Sequence, residues 1–453
     1  MQTSRTYITN MVSDKHRVLI VGLGVTGMSC ARYLASQGIE VAVTDSREKP
    51  PALAELRKEL PNIAVFTGGF DERVFSRADE LIVSPGVSLK HPLIVDASQQ
   101  GKKILGDIEL FAQQAQAPVV VITGSNGKST VTSLVGMMAR EAGLDVRVGG
   151  NIGKPALDLL AESEPDMYVL ELSSFQLEYT DSLNASVATV LNITEDHMDR
   201  YEHMSEYIDA KKRAYRGSGV MILNRDDPRV MDMAMPLRRI LTFGLQPAND
   251  NDYGTLNHED ETWLARGNTA LIRASELKIT GLHNIANALA ALAIGEAAGF
   301  SQSAMLSALK SYPGLPHRCQ FVRELDEVRW YNDSKGTNVG ATVAAIQGIQ
   351  QPVVLIAGGD AKGADFSSMK SVVEQKVHTL VLLGKDAQRI AETMDGLTSI
   401  VQAKNMQQAV ELAQKHAHEG DAVLLSPACA SFDMFSGYEQ RGEVFMQSVR
   451  KLK

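Results

Sequence analysis

Short apolar runs recur along the chain, each ending in a glycine-rich or polar turn that leads into a helix-like pattern. "RVLIVGLGVTG", "EVAVTDS" and "ELIVSPG" form a first block and imply parallel β–α units. The stretch "GKKILGDIELFAQQAQAP" then leads to a fresh strand at Val119, which places a boundary near Leu105. A second block has strands at "MYVLELSS", "SVATVLNIT" and "GVMILN". Residues 236–273, rich in Asn and Asp, read as short antiparallel strands, and "NIANALAALAIGEAAG" as a small-residue helix. Pro313, Gly314 and Pro316 mark a linker. A third block carries strands at "VRWYN", "PVVLIAGG", "HTLVLLG" and "AVLLSP". The expected organisation is α/β in three domains, 17–105, 106–314 and 315–453, after a loose extension over 1–16. The central sheet is expected to be mainly parallel with a small antiparallel part.

Composition narrows the class. A chain of 453 residues is too long for one ordinary core. The net charge of −9 argues against nucleic acid or an anionic membrane as main partner. Cys30, Cys319 and Cys429 are scattered, which suits a reducing cytoplasm and neither a disulfide framework nor a zinc site. The N-terminus lacks the apolar core of a signal peptide, and no apolar window is long enough to span a membrane.

"VVVITGSNGKST" places a glycine turn between a strand and a helix. Backbone N–H groups of Gly124, Ser125, Asn126 and Gly127 form a concave anion site there. Lys128 supplies a point charge for the β- and γ-phosphates, and Ser129 or Thr130 a hydroxyl for Mg²⁺. The common phosphate-loop pattern has glycine at the position of Ile122, so this loop is a shortened variant. Thr132, Leu134, Val135 and Met138 serve packing.

Glu171 ends an apolar strand, where a carboxylate reaches a nucleotide's Mg²⁺ or is simply a strand-end acid. "TEDHMDRY" packs Glu195, Asp196, His197 and Asp199 after another strand; it is a metal-site candidate, with His197 as a ligand, or a solvated charged loop. By pattern alone Lys211 and Lys212 are surface lysines on a helix. "GLGVTG", with Asp45 closing the next strand, fits dinucleotide binding and keeps an NAD-dependent dehydrogenase in view.

At "TGSNGKST", "ELSSFQLE", "NITEDHMDRY", "HNIANALAA", "GLPHR", "NDSKGTN", "GGDAKGADF" and "SPACASFDMF" the chain resembles the Mur ligases, in order and across all three blocks. The D-N-P-[RA] signature of the ligases that add a diamino acid is absent. The resemblance implies a Rossmann-like N-terminal UDP-binding domain, a central P-loop ATPase and a Rossmann-like C-terminal amino-acid domain. It implies that Val25, Thr26, Asp45, Ser46, Arg47, Ser84, Gly86 and Asn151 contact a UDP-sugar. Lys128, Ser129 and Thr130 would take the ATP phosphates, while Ser129, Glu171 and His197 would serve two Mg²⁺ ions. Lys211, in "YIDAK", matches a family lysine that CO₂ converts to a carbamate, an anionic oxygen ligand for a hard cation. Asn284, Asn287, Arg318 and Asp333 would hold the adenine nucleotide. Lys335, Thr337, Lys362, Ser431 and Phe432 would hold D-glutamate, with Tyr438 where a phenylalanine is familiar.

The chemistry implied is amide formation. The carboxylate of UDP-N-acetylmuramoyl-L-alanine attacks the γ-phosphate of ATP, and the amine of D-glutamate displaces phosphate from the acyl phosphate. Reactants held on three domains imply closure before chemistry. A monomeric, cytoplasmic enzyme is expected. Folylpolyglutamate synthesis on the same scaffold, or a phosphate-loop switch or motor, would also account for the phosphate loop.

Overall fold

The computed structural model describes residues 16–161, 163–196, 200–249, 251–258, 261–279 and 281–453. The expected extension over 1–16 lies almost wholly outside these. The chain divides into two compact units, one comprising Met1–Phe243 and Ala290–Met305, the other Gly244–Leu289 and Leu306–Lys453.

The first unit holds two sheets. One is all parallel, with strands β1 (Val18–Val21), β2 (Val41–Asp45), β3 (Ala64–Thr67), β4 (Glu80–Val83) and β5 (Lys103–Leu105) in the order β3-β2-β1-β4-β5. The chain leaves β1 towards β2 on one side and reaches β4 on the other. That reversal opens a crevice at the carboxyl ends of β1 and β4. The second sheet runs β11-β10-β9-β6-β8-β7 within this unit, from β6 (Val119–Thr123), β7 (Val146–Gly150), β8 (Met167–Glu171), β9 (Val187–Val190), β10 (Val220–Asn224) and β11 (Ile240–Phe243), all parallel. β6 and β8 are buried along their whole length, as strands covered on both faces must be.

The second unit holds antiparallel β12 (Tyr253–His258), β13 (Glu261–Arg266) and β14 (Thr269–Arg273). It also holds a six-stranded sheet ordered β15-β16-β20-β17-β18-β19. Its strands are β15 (Gln320–Leu325), β16 (Val328–Asn332), β17 (Val353–Ala357), β18 (Val377–Leu382), β19 (Ser399–Gln402) and β20 (Ala422–Leu425). Only the β15–β16 pair is antiparallel. Two apolar clusters cover its faces, one around Ile346, Leu355 and Phe366, the other around Trp330, Ile356 and Phe445.

The fold is thus the three-domain α/β class expected, with mostly parallel sheets. Two details differ from the pattern of the sequence. Residues 236–273 are not wholly antiparallel, because Ile240–Phe243 pairs parallel with β10. Strands β3, β5, β7, β15 and β19 go unpredicted, and every one is the edge of its sheet. An edge strand has one neighbour and more water, so β3, β5, β15 and β19 carry few buried residues and lack the apolar run.

Candidate active site

The phosphate loop connects β6 to the helix Lys128–Glu141. Gly127 caps that helix with φ 83°, a left-handed conformation that glycine adopts without strain. The segment after β9 braces the loop. Asn126 N–H donates to Asn192 Oδ1 at 2.8 Å, Ser125 N–H to the Asn192 carbonyl at 2.9 Å, and Ser125 Oγ to the Thr194 carbonyl at 3.0 Å. Ser125 Oγ also lies 2.9 Å from the Tyr207 hydroxyl. Ser129 and Thr130 are buried at the helix start, and Thr132, Leu134, Val135 and Met138 are core.

Lys128 Nζ folds back onto the loop, donating to the Gly124 and Ser125 carbonyls at 2.9 Å each. Lys211 is not a surface lysine. It is 1% exposed, and its Nζ donates to the Gly124 carbonyl at 2.9 Å and lies 4.7 Å from the centre of the Tyr207 ring. Burial, reinforced by the charge of Lys128, holds its amine well below the usual lysine range. The helix Met204–Lys212 aims it inward, with Tyr207 and Lys211 one turn apart on the same face.

Glu171, 2% exposed, ends β8 beside this loop. Its Oε1 accepts the Asn151 side-chain amide at 2.7 Å, while Oε2 is buried with no hydrogen-bond partner among the described residues. A buried carboxylate oxygen with no partner among the described residues, whose charge acts on the buried Lys211, fits a cation ligand. Asp196 adds negative charge near Lys211. His197 lies outside the described residues, so its expected metal role has no geometry here.

At the first sheet's crevice, the "GLGVTG" turn leaves β1. A methyl group on Gly27 would fall 2.0 Å from the Gly22 carbonyl oxygen, so the helix closes on the turn only with glycine there. A methyl on Gly24 would meet nothing within 4 Å. Val25 is 70% exposed, and Ser46, Arg47 and Gly86 are also exposed; Thr26 and Ser84 are half-buried. Asp45 is committed to the turn itself. Its Oδ2 accepts the Leu23 N–H at 2.7 Å, and its two oxygens take Arg47 Nε and Nη2 at 2.8 and 2.7 Å.

Arg200, which carried no signal of its own inside "TEDHMDRY", joins this crevice to the second sheet. Its guanidinium donates to the Pro85 carbonyl at 2.6 Å, the Val87 carbonyl at 3.2 Å and Glu178 at 2.7 Å. Tyr179 OH adds a bond to the same Val87 carbonyl. No pattern in the sequence distinguished this arginine from a solvated one.

In the second unit, Asn287 Nδ2 donates to Asn284 Oδ1 at 3.2 Å, and both are buried. The positive charge of Arg318 bears on His283 and on Asp333. Burial pushes the Asp333 carboxyl up to about 6, although Ser426 Oγ donates to it at 2.7 Å and the Cys319 N–H at 3.2 Å. His317 and Cys319, on either side of Arg318, have φ 61° and 42°, and Lys362 has φ 48°. Non-glycine residues in this region store strain, which clusters at ligand sites.

Lys335 Nζ sits 3.7 Å from the centre of the Tyr438 ring, a contact that phenylalanine also offers. Asp360 and Ala430 exchange backbone hydrogen bonds, which sets the loop of Lys362 beside that of Ser431. Ser431 is buried, Thr337 half-buried and Phe432 71% exposed. Arg441, equally unmarked in the sequence, stitches these loops together. Its guanidinium donates to Ser334 Oγ, the Ser334 carbonyl and the Cys429 carbonyl at 3.0, 2.8 and 3.1 Å. Burial pulls its guanidinium down to about 10, against the opposing charges of Asp433 and Asp333.

A phosphate loop over a buried acid and lysine, beside a second glycine turn, defines a nucleotide-dependent α/β enzyme. Residues 16–106 match "Mur ligase MurD-like, N-terminal domain", 122–295 "Mur ligase middle domain" and 317–429 "Mur ligase, glutamate ligase domain". The chain belongs to the Mur ligase family. It is similar to the UDP-N-acetylmuramoylalanine–D-glutamate ligase of Nitrosococcus oceani, 52% identical over 96% of each chain. The enzyme of that name from Marinobacter nauticus is also 52% identical, over 98% of this chain and 99% of that one. Among solved structures, the UDP-N-acetylmuramate-alanine ligase of Thermotoga maritima shares the fold, with TM-score 0.61 and 18% identity over 96% of this chain and 100% of that one. The family depends on ATP and Mg²⁺. Membership rules out the dehydrogenase that "GLGVTG" by itself allowed. No helix among the described residues is long and apolar enough to cross a membrane.

Proposed function

We propose that this chain is the ATP-dependent ligase that adds D-glutamate to UDP-N-acetylmuramoyl-L-alanine in peptidoglycan precursor synthesis, releasing ADP and phosphate. The reading assigns residues 17–105 to the UDP-substrate, 106–314 to ATP and 315–453 to the amino acid, in a monomeric cytoplasmic enzyme. The observation that carries it is the meeting of Lys128, Lys211 and Glu171 at the phosphate loop, in a chain alignable end to end with D-glutamate ligases.

A carboxylate is a poor electrophile, so it must be phosphorylated before an amine attacks. The muramoyl-alanine carboxylate oxygen bonds to the γ-phosphorus as the bond to the β-phosphate bridge breaks, giving acyl phosphate and ADP. This step drives one anion onto another and needs positive charge where negative charge develops. Lys128, freed from the Gly124 and Ser125 carbonyls, supplies it at the phosphates. The D-glutamate amine, neutral on attack, then adds to the carbonyl, the amine loses a proton, and inorganic phosphate leaves.

Lys211 serves through modification. Its lowered pKa favours the neutral form of the amine, which bonds to the carbon of CO₂ and loses one proton to give a carbamate. Ser129, Glu171, the carbamate and His197 would hold two Mg²⁺ ions, which when bound would supply positive charge to the phosphate oxygens. Asn151 holds Glu171 and reaches the UDP-substrate. Asn284, Asn287, Arg318 and Asp333 take the nucleotide; Lys335, Thr337, Lys362, Ser431, Phe432 and Tyr438 take D-glutamate.

The deciding experiment supplies UDP-N-acetylmuramoyl-L-alanine, ATP and a panel of D- and L-amino acids, and follows ADP and product. ADP and phosphate with D-glutamate are expected. AMP with pyrophosphate, or turnover with L-glutamate and a folate instead, would overturn the reading.

A further inference from the structure

We propose that His378, His418 and Asp421 form a binding site for a divalent transition-metal ion of the zinc class. β18 and β20 lie on either side of β17, all three parallel. His378 is the second residue of β18, and Asp421 immediately precedes β20. Both therefore stand at strand N-terminal ends. Lys335, Thr337 and Ser431 follow the C-terminal ends of β16 and β20, so the cluster occupies the opposite edge of the same sheet.

The geometry suits one ion. His378 Nε2 lies 2.9 Å from Asp421 Oδ2, and His418 Nδ1 lies 3.4 Å from the same oxygen. All three candidate ligand atoms fall within 4.8 Å of one another. Around a tetrahedral ion with bonds of about 2.0–2.1 Å, ligand atoms stand about 3.4 Å apart. The observed separations bracket that value, and small rotations of the side chains close the set.

The chemistry selects the ion. Two imidazoles and a carboxylate suit Zn²⁺, Co²⁺ or Ni²⁺ better than Mg²⁺, which prefers oxygen. The outer groups are in place too. In the structure Nε2 of His378 donates to the Asp421 carboxylate at 2.9 Å; when Nε2 gives up that proton and binds the metal, Nδ1–H donates to the buried Thr379 hydroxyl 3.1 Å away. Asp421, with its side chain 6% exposed, is fixed by the His418 backbone N–H at 2.7 Å. The His418 side chain is 78% exposed, which gives the ion an entry path and leaves a fourth position for water. A bound ion ties β18 to the start of β20 across β17 and stabilises this unit by mass action.

The test titrates the full-length protein with Zn²⁺ against a chromophoric chelator, in buffer containing Mg²⁺, and repeats the titration with His378→Gln and His418→Gln. The wild type is expected to bind one more Zn²⁺ per chain than either variant, or to bind that ion more than about tenfold tighter. Its thermal midpoint should rise with Zn²⁺, while D-glutamate ligation without Zn²⁺ stays equal in all three. His418→Gln, on an exposed side chain, decides the case by itself if His378→Gln folds poorly. Failure of the wild type to take up Zn²⁺, or uptake equal in wild type and His418→Gln, overturns the proposal.

Discussion

Lys128 and Lys211 place their side-chain nitrogens on one acceptor, the Gly124 carbonyl, each at 2.9 Å. Two ammonium groups on one buried oxygen repel each other. The cost falls on the more deeply buried one, Lys211, whose amine is the easier to deprotonate. In the proposed mechanism this pairing gives Lys128 to the phosphates and leaves Lys211 as the amine that reacts with CO₂.

Replacement of Lys211 by alanine should nearly abolish ADP release. A short carboxylic acid added to the assay should restore part of it by standing in for the carbamate. The wild type should lose activity when bicarbonate and CO₂ are purged and regain it on their return. Full activity of Lys211→Ala would remove the carbamate from the mechanism.

Asn151 holds Glu171 through one oxygen, and the other has no hydrogen-bond partner among the described residues. Asn151→Ala should therefore raise the Mg²⁺ concentration needed for half-maximal rate as well as the KM for the UDP-substrate. A change in KM with an unchanged Mg²⁺ profile would confine Asn151 to substrate contact.

Arg200 ties the loop after β4 to Glu178, with side chains 12% and 14% exposed. Removing one partner leaves a charge poorly solvated, and hydrogen bonds to charged groups contribute about 1.5–3 kcal/mol each. Arg200→Ala should cost stability on the order of 2 kcal/mol, read as a lower thermal midpoint, and should raise the KM for the UDP-substrate more than that for ATP.

Gly24 and Gly27 separate binding from folding. Gly27→Ala must push its methyl into the Gly22 carbonyl and should yield little soluble protein. Gly24→Ala faces open space, should fold, and should weaken UDP-substrate binding by filling the approach to the turn. Equal behaviour of the two variants in expression and in KM would contradict this division.

Asp333 gives a pH signature. Its carboxyl is raised from the ordinary 3.8 to about 6 by burial, so the fold favours the neutral form. The stability it contributes is fully present below the unfolded pKa, near 3.8, and is lost as pH rises through about 6. Asp333→Asn cannot titrate. Relative to that variant, the wild type should lose thermal stability between pH 4 and pH 7, and a parallel pair of curves would show that the carboxyl titrates in its usual range.

The sequence by itself determined the strands buried on both faces, because a parallel strand covered by helices must be apolar throughout, as "VVVIT" is. It also determined the two glycine turns, where backbone shape admits few residues. Only the tertiary structure decided the rest. The edge strands β3, β5, β15 and β19 were hidden because water accepts almost any side chain there. Lys211 read as a surface lysine because the helix face towards Gly124 is set by packing, not by its own polar run. Arg200 and Arg441 were invisible because most of their partners are backbone carbonyls of distant loops, and a carbonyl has no letter in the sequence.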